Sequence, residues 1–226
     1  MPGEISIFLH GGGFAMGSVT THGKMVSHFA KQLRTKILLV EYALAPEHPY
    51  PAGLNDTVAV YRKLAGLHPG YRVNLIGDSA GGSLIVSAIG EMLKTQLALP
   101  NAVVLISPWI DFECNNPSYE ANAGLDISVD KDMLRLFARA YTGSARLEAS
   151  SPKNVLLPQF PPVLIMVGTQ EILLDDSKHF YDAIKSVQGK SRLSIYDGQP
   201  HVWPKKDVHS EASRRALAEI ADFIRG

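Results

Sequence analysis

The chain has 226 residues, 46% hydrophobic and 19% charged, a balance that fits one sizeable α/β domain and excludes a disordered chain. Lys plus Arg and Asp plus Glu each number 22, giving a formal charge of zero, so neither nucleic acid nor an anionic membrane is expected as a partner. The single Cys114 excludes an internal disulfide and fits a reducing, cytoplasmic compartment; no apolar run is long enough to span a bilayer, and Met1-Pro2-Gly3-Glu4 carries no basic segment of the kind that opens a secretory leader.

Ile5 to Leu9 reads as a strand and runs directly into His10-Gly11-Gly12-Gly13-Phe14. Three glycines after a strand let the backbone turn its N–H groups toward an anion. Acyl transfer needs such donors for its tetrahedral oxyanion, each lowering the barrier by about 3–4 kcal/mol. A phosphate loop is the poorer alternative, because no G-K-[ST] follows. Lys24 to Arg34 carries Met25, Phe29 and Leu33 at helical spacing, and Lys36 to Val40 is the next strand. Glu41 to Pro51 holds three prolines and reads as fixed irregular backbone. Glu47 and Asp56 look like an acid pair, but bracing and capping are the expected roles. Asn55 to Leu67 is a further helix.

Arg72 to Ile76 is short, apolar and partly β-branched, and it leads into Gly77-Asp78-Ser79-Ala80-Gly81. The pentapeptide is a G-x-S-x-G, and Ala80 to Lys94 behind it places Leu84, Ala88 and Met92 one above another on a helix. Strand, tight turn, helix is the setting of a nucleophile elbow, which holds a serine hydroxyl exposed on a sharp bend. Ala102 to Ile106 is a strand ending at Ser107-Pro108-Trp109. The stretch 111–153 is longer, more polar and less periodic, with one amphipathic helix at Lys131 to Tyr141. An insertion after a strand end is expected to lie over an active site as a partial lid. Pro162 to Val167 is a strand followed by Glu171, Asp175 and Asp176, in the place where an open α/β sheet puts its functional groups. A helix at Asp176 to Val187, a strand at Ser191 to Tyr196, a loop with His201 and a helix at Ser210 to Ile224 close the chain. Six strands alternating with helices predict one domain over 1–226, a mostly parallel sheet covered on both faces.

A serine is a poor nucleophile until a base takes its proton, and the base needs an acid to orient it. Of eight histidines, His201 alone sits on a loop just after the final strand. Ser79, then the acids at 171–176, then His201 is the chain order of an α/β-hydrolase triad. Glu171 stands nearest the strand end and is the first candidate acid. Asp175, a turn later, is the alternative, and Asp176 is expected to cap or open the helix.

His10-Gly11-Gly12-Gly13, Ala45-Pro46-Glu47, Gly77-Asp78-Ser79-Ala80-Gly81-Gly82 and the late His201 resemble the hormone-sensitive-lipase-like branch of α/β-hydrolases, mostly microbial carboxylesterases. The resemblance runs from about residue 5 to the end. It implies an α/β-hydrolase fold, Ser79 as nucleophile and His201 as base. It also implies an oxyanion hole from the amides of two of Gly11, Gly12 and Gly13 together with Ala80. No metal or organic cofactor is called for. Many members carry Asp where Glu171 stands, so the acid remains open between Glu171 and Asp175. Members usually have cap helices and two more strands ahead of the glycine-loop strand, whereas this chain begins almost at it. From that departure follow three expectations: Ile37 to Val40 as an edge strand, an open site with modest acyl-chain selectivity, and self-association, with a homodimer through the last strand as the form the resemblance suggests.

The activity expected is hydrolysis of short-chain, uncharged small-molecule esters through an acyl-enzyme. It should fall below the pKa of His201, near 6.5 if that group is unperturbed. A lactone or amide hydrolase with the same triad is the enzymatic alternative. A non-catalytic ligand-binding relative is disfavoured by the presence of His201, and a poorly active truncated relative is the remaining rival.

Overall fold

The computed structural model describes residues 3–226; Met1 and Pro2, on which the expectation about a leader rests in part, lie outside them. In chain order the elements are β1 (Glu4–Leu9), α1 (Val19–Leu33), β2 (Lys36–Val40), α2 (Ala52–Leu67), β3 (Arg72–Asp78), α3 (Ala80–Lys94) and β4 (Ala102–Ile106). They continue with α4 (Ser118–Ala121), α5 (Lys131–Thr142), α6 (Leu147–Ser150), β5 (Val163–Gly168), α7 (Leu174–Ile184), β6 (Arg192–Tyr196), α8 (Trp203–Lys206) and α9 (Glu211–Arg225). The six strands form one sheet in the order β2-β1-β3-β4-β5-β6, and every pairing is parallel.

A parallel sheet must be covered on both faces, and the strand sequences supply two apolar faces by alternation. Ile7, Leu75, Val103, Leu105 and Ile165 point into one core with Tyr61 of α2, Leu84 of α3 and Ile184 of α7. Phe8, Ile76, Val104, Ile106 and Met166 point into the other with Phe29 of α1 and Ile220 of α9. The central strands are buried throughout, so their near-continuous runs of Val, Ile and Leu follow from geometry. At the margin, β2 shows the alternating exposure of an edge strand, as its place ahead of β1 predicts.

Several boundaries differ from the sequence reading, each for a local reason. α1 starts five residues before Lys24, because Ser18 and Thr21 form a reciprocal capping box. Two threonines and Gly23 in that first turn hide the start from any apolar periodicity. α2 starts at Ala52, directly after Pro51, rather than at Asn55. Asp56 Oδ2 accepts the Ala43 N–H at 2.9 Å, the bracing role expected of it.

Asp176 does not cap or open a helix. It lies inside the first turn of α7, fully buried, and gathers the start of the 111–153 stretch. Its Oδ2 accepts the N–H groups of Ile110 and Asp111, both at 2.8 Å, and the Tyr119 hydroxyl at 3.1 Å, while Oδ1 accepts Asn116 Nδ2 at 2.7 Å. Beside it, Asp175 Oδ2 accepts the Ser118 N–H at 2.9 Å. α5 follows on a clean cap, Asp130 Oδ1 accepting the Met133 N–H at 2.8 Å. Leu134, Ala138 and Tyr141 form its buried stripe.

Candidate active site

The carboxyl ends of five neighbouring strands deliver one residue or loop each to the same place: His10–Gly13 after β1, Ser79 after β3, Ser107 after β4, Glu171 after β5 and His201 after β6. Ser79 has φ 51° and ψ −119°, a backbone conformation that non-glycine residues rarely adopt. It persists because both sides are tied down. Ser79 N–H donates to Ile106 O at 2.9 Å, and its carbonyl accepts Trp109 N–H at 3.3 Å. Gly81 is needed next, since a Cβ there would collide with the Leu9 carbonyl at the end of β1. The elbow and the glycine loop are therefore packed backbone against backbone.

His201 Nε2 lies 3.0 Å from Ser79 Oγ, and Nδ1 lies 2.9 Å from Glu171 Oε2. The imidazole thus bridges a hydroxyl and a carboxylate that are far apart in sequence. Glu171 is fully buried. Its Oε1 accepts the Gly168 N–H at 2.6 Å and the Ser107 hydroxyl at 2.7 Å, so the carboxylate is fully engaged. Burial works against charging of His201, but the hydrogen bond and charge of Glu171, helped by Asp126 and Asp78, outweigh it and hold the ring above its ordinary pKa of 6.5. Asp175, the alternative acid, is engaged elsewhere: it holds Ser118 and pairs with Lys178 at 3.2 Å.

The glycine loop divides its amides. Gly11 N–H donates to Asp78 Oδ1 at 3.1 Å. That corrects its place among the candidate oxyanion donors, because the amide is already committed. Among the described residues, Gly12, Gly13 and Ala80 N–H meet no protein acceptor. Gly12 has φ 121°, which turns the loop sharply over the serine and which a side chain would strain. Gly12, Gly13, Ser79 and His201 all line one cavity of about 420 Å³. Its apolar wall is Met16, Val129, Met133 and Phe137, the last two from α5. Phe137 lies so close over Gly13 that a Cβ on the glycine would strike its ring.

Two participants escaped the sequence reading. Ser107 carries no motif, being one serine before a proline at a strand end. Asp78 occupies the unspecified position of G-x-S-x-G. Only its burial beside the glycine loop gives it meaning.

Comparison with known proteins agrees with this architecture. Residues 6–205 match the alpha/beta hydrolase fold family. An acetyl-hydrolase of Streptomyces hygroscopicus is 34% identical over 227 residues, covering 99% of this chain and 76% of the relative. An esterase of Acinetobacter venetianus is 31% identical, covering 97% of this chain and 74% of the relative. Among solved structures, an esterase from the bacterial hormone-sensitive lipase family superposes with a TM-score of 0.93 at 38% identity, over 100% of this chain and 77% of that one. Sheet order, elbow, glycine loop and these similarities together show that the chain belongs to the α/β-hydrolase fold family, in its hormone-sensitive-lipase-like branch.

Proposed function

We propose that this protein is a serine carboxylesterase acting on short-chain carboxylic esters. The observation that carries the proposal is the continuous contact from Ser79 Oγ to His201 to Glu171. It lies beside uncommitted amides at Gly12, Gly13 and Ala80. The esterase and acetyl-hydrolase among its relatives support the same class of reaction.

In this mechanism His201 Nε2 takes the Ser79 proton as Oγ attacks the ester carbonyl carbon. The carbonyl oxygen gains the negative charge, and two or three amides from Gly12, Gly13 and Ala80 receive it. His201, now cationic, is stabilised by Glu171 and passes its proton to the departing alcohol. Water then enters, His201 deprotonates it, and attack on the acyl-enzyme releases the acid and restores Ser79. The 111–153 stretch acts as a partial lid through α5, whose Met133 and Phe137 wall the acyl side. In this reading the wall formed by Met133 and Phe137, not the volume of about 420 Å³, limits the length of the acyl chain. Self-association through an exposed sheet edge belongs to the same reading.

Hydrolysis of p-nitrophenyl acetate, butyrate and octanoate, measured beside Ser79→Ala, tests the proposal. The expected result is turnover on the two short esters that exceeds octanoate and disappears in the variant. Turnover that persists in Ser79→Ala overturns it.

A further inference from the structure

Directly beneath the glycine loop lies a buried polar cluster whose side chains, among the described residues, make no hydrogen bond to Ser79, Glu171 or His201. Asp78 is 2% exposed and His22 1%. Asp78 Oδ1 accepts the Gly11 N–H at 3.1 Å, and Oδ2 packs so close to Gly11 that a Cβ there would collide with it. His22 Nε2 stands 3.5 Å from Asp78 Oδ2 and, among the described residues, has no nearer polar partner. Its Nδ1 lies 2.8 Å from the Thr21 hydroxyl. Nε2 thus faces the Asp78 carboxylate at ion-pair distance. His10 stacks between His22 and Tyr42, with centroids 5.3 and 4.4 Å away, and the Tyr42 hydroxyl donates to the His10 carbonyl at 2.7 Å.

A carboxylate can accept about four hydrogen bonds, and burying one with few is costly. Asp78 tolerates that environment while making one contact that matters geometrically. It is the residue before Ser79, and it holds the first amide of the loop whose next two amides are uncommitted. Among the described residues the side-chain hydrogen bond that ties elbow to glycine loop therefore runs through Asp78, beside the backbone packing of Gly81 on Leu9. We propose that Asp78, backed by His22, is a positioning pair that holds the glycine loop where its Gly12 and Gly13 amides meet the oxyanion. The inference rests on the serine-esterase reading. It assigns Asp78 and His22 no contact with substrate and no proton transfer.

A positioning pair of this kind acts on the transition state, so it affects kcat and transition-state analogues more than substrate binding. The variants are Asp78→Ala, Asp78→Asn and His22→Gln. The measurements are kcat and KM on p-nitrophenyl butyrate, the inhibition constant of a short alkyl trifluoromethyl ketone, and thermal melting. The ketone adds Ser79 Oγ reversibly to its carbonyl carbon, and the resulting oxyanion needs the same amides. In Asp78→Ala kcat is expected to fall about 10–100-fold with KM within about threefold, and ketone affinity to fall in parallel. Asp78→Asn keeps an uncharged acceptor for Gly11 and falls between Asp78→Ala and the native protein. His22→Gln loses about 3–10-fold, and adding it to Asp78→Ala costs little more, since the two act as one unit. Ketone affinity unchanged in folded variants, or losses that track only the folded fraction, overturns the inference. If Asp78→Ala does not fold, Asp78→Asn and His22→Gln decide by the same criterion. Ser79→Ala is run alongside: native turnover that does not depend on Ser79 overturns the esterase reading and this inference with it, whereas Ser79-dependent turnover with unmoved ketone affinity overturns the inference alone.

Discussion

Ser107 donates its hydroxyl to Glu171 Oε1 at 2.7 Å and accepts the Val202 N–H at 3.1 Å with the same oxygen. One small side chain at the end of β4 thus clamps Glu171 and the residue that follows His201. Ser107→Ala removes both bonds and leaves the buried Val202 amide without that acceptor. Losing a buried pair of this kind costs about 1–3 kcal/mol. Melting temperature should drop accordingly, and kcat should fall about tenfold as Glu171 and His201 lose their common reference. Unchanged kcat on p-nitrophenyl butyrate would show that Gly168 alone suffices to hold the acid.

Glu171 reaches His201 with the longer of the two acidic side chains, and the reach is what the variants probe. Glu171→Gln is nearly isosteric but uncharged, so the imidazolium loses its counter-charge and the ring loses its fixed tautomer. A drop in kcat of about 10³–10⁴ is expected, in line with the loss of an orienting acid in other triads. Glu171→Asp keeps the charge and shortens the reach by one methylene, so a smaller loss of about 10–100-fold is expected. Equal losses in the two variants, with folding intact by circular dichroism, would mean that charge is not what Glu171 contributes.

The pH profile follows from the same pair. Burial of His201 favours its neutral form, but Glu171, Asp126 and Asp78 together raise its pKa above 6.5. In the proposed mechanism His201 works only when neutral, so activity should be lost as pH falls through that raised value. The acidic limb of kcat/KM should therefore centre above pH 6.5, not at it, with unit slope below. In Glu171→Gln the counter-charge is gone and the limb should move to lower pH. A rate that stays flat from about pH 5 to 8 on a pH-stable ester would remove His201 as the base.

That Ser79, Glu171 and His201 would meet was legible because each follows a strand and the strands announce themselves by short apolar runs. The parallel sheet was legible for the same reason. What was not legible is whatever depends on direction. Gly11 and Gly12 look alike in the sequence, yet one amide donates to Asp78 and the other, among the described residues, meets no backbone acceptor. Asp175 and Asp176 are neighbours with similar promise, and the turn of α7 aims both at the insertion instead of the base. α8, four residues with a proline, has no period to detect. Periodicity reports which face is buried; it does not report which of several polar groups on the other face meets a partner.

Among the described residues the sheet ends in two edge strands, β2 and β6. Leu38 on β2 is 41% exposed and Ile195 on β6 is 46% exposed, both large apolar side chains. Unpaired strand edges with apolar side chains invite pairing. Sedimentation velocity at increasing concentration should show a dimer or larger species. Ile195→Lys is expected to shift the distribution toward monomer more than Leu38→Lys, because the family resemblance puts the contact at the last strand. A monodisperse monomer at the highest concentration would remove self-association from the proposal.

Phe137 links the insertion to the glycine loop, because its ring covers Gly13 while also walling the cavity. Replacing it by Ala does two things at once. The acyl side gains the volume of a phenyl ring, so the octanoate-to-butyrate ratio of kcat/KM should rise several-fold; burial of the extra methylenes contributes up to about 0.8 kcal/mol each. The glycine loop loses a packing partner, so kcat on acetate, too small to use the new space, should fall by about two- to fivefold. Phe137→Leu restores part of the cover and should lie between the two on both measures. If the octanoate-to-butyrate ratio does not move in either variant, the acyl chain runs elsewhere and α5 is not its wall. If the ratio rises while acetate turnover is unchanged, Phe137 limits chain length without steadying the loop, and the two roles separate.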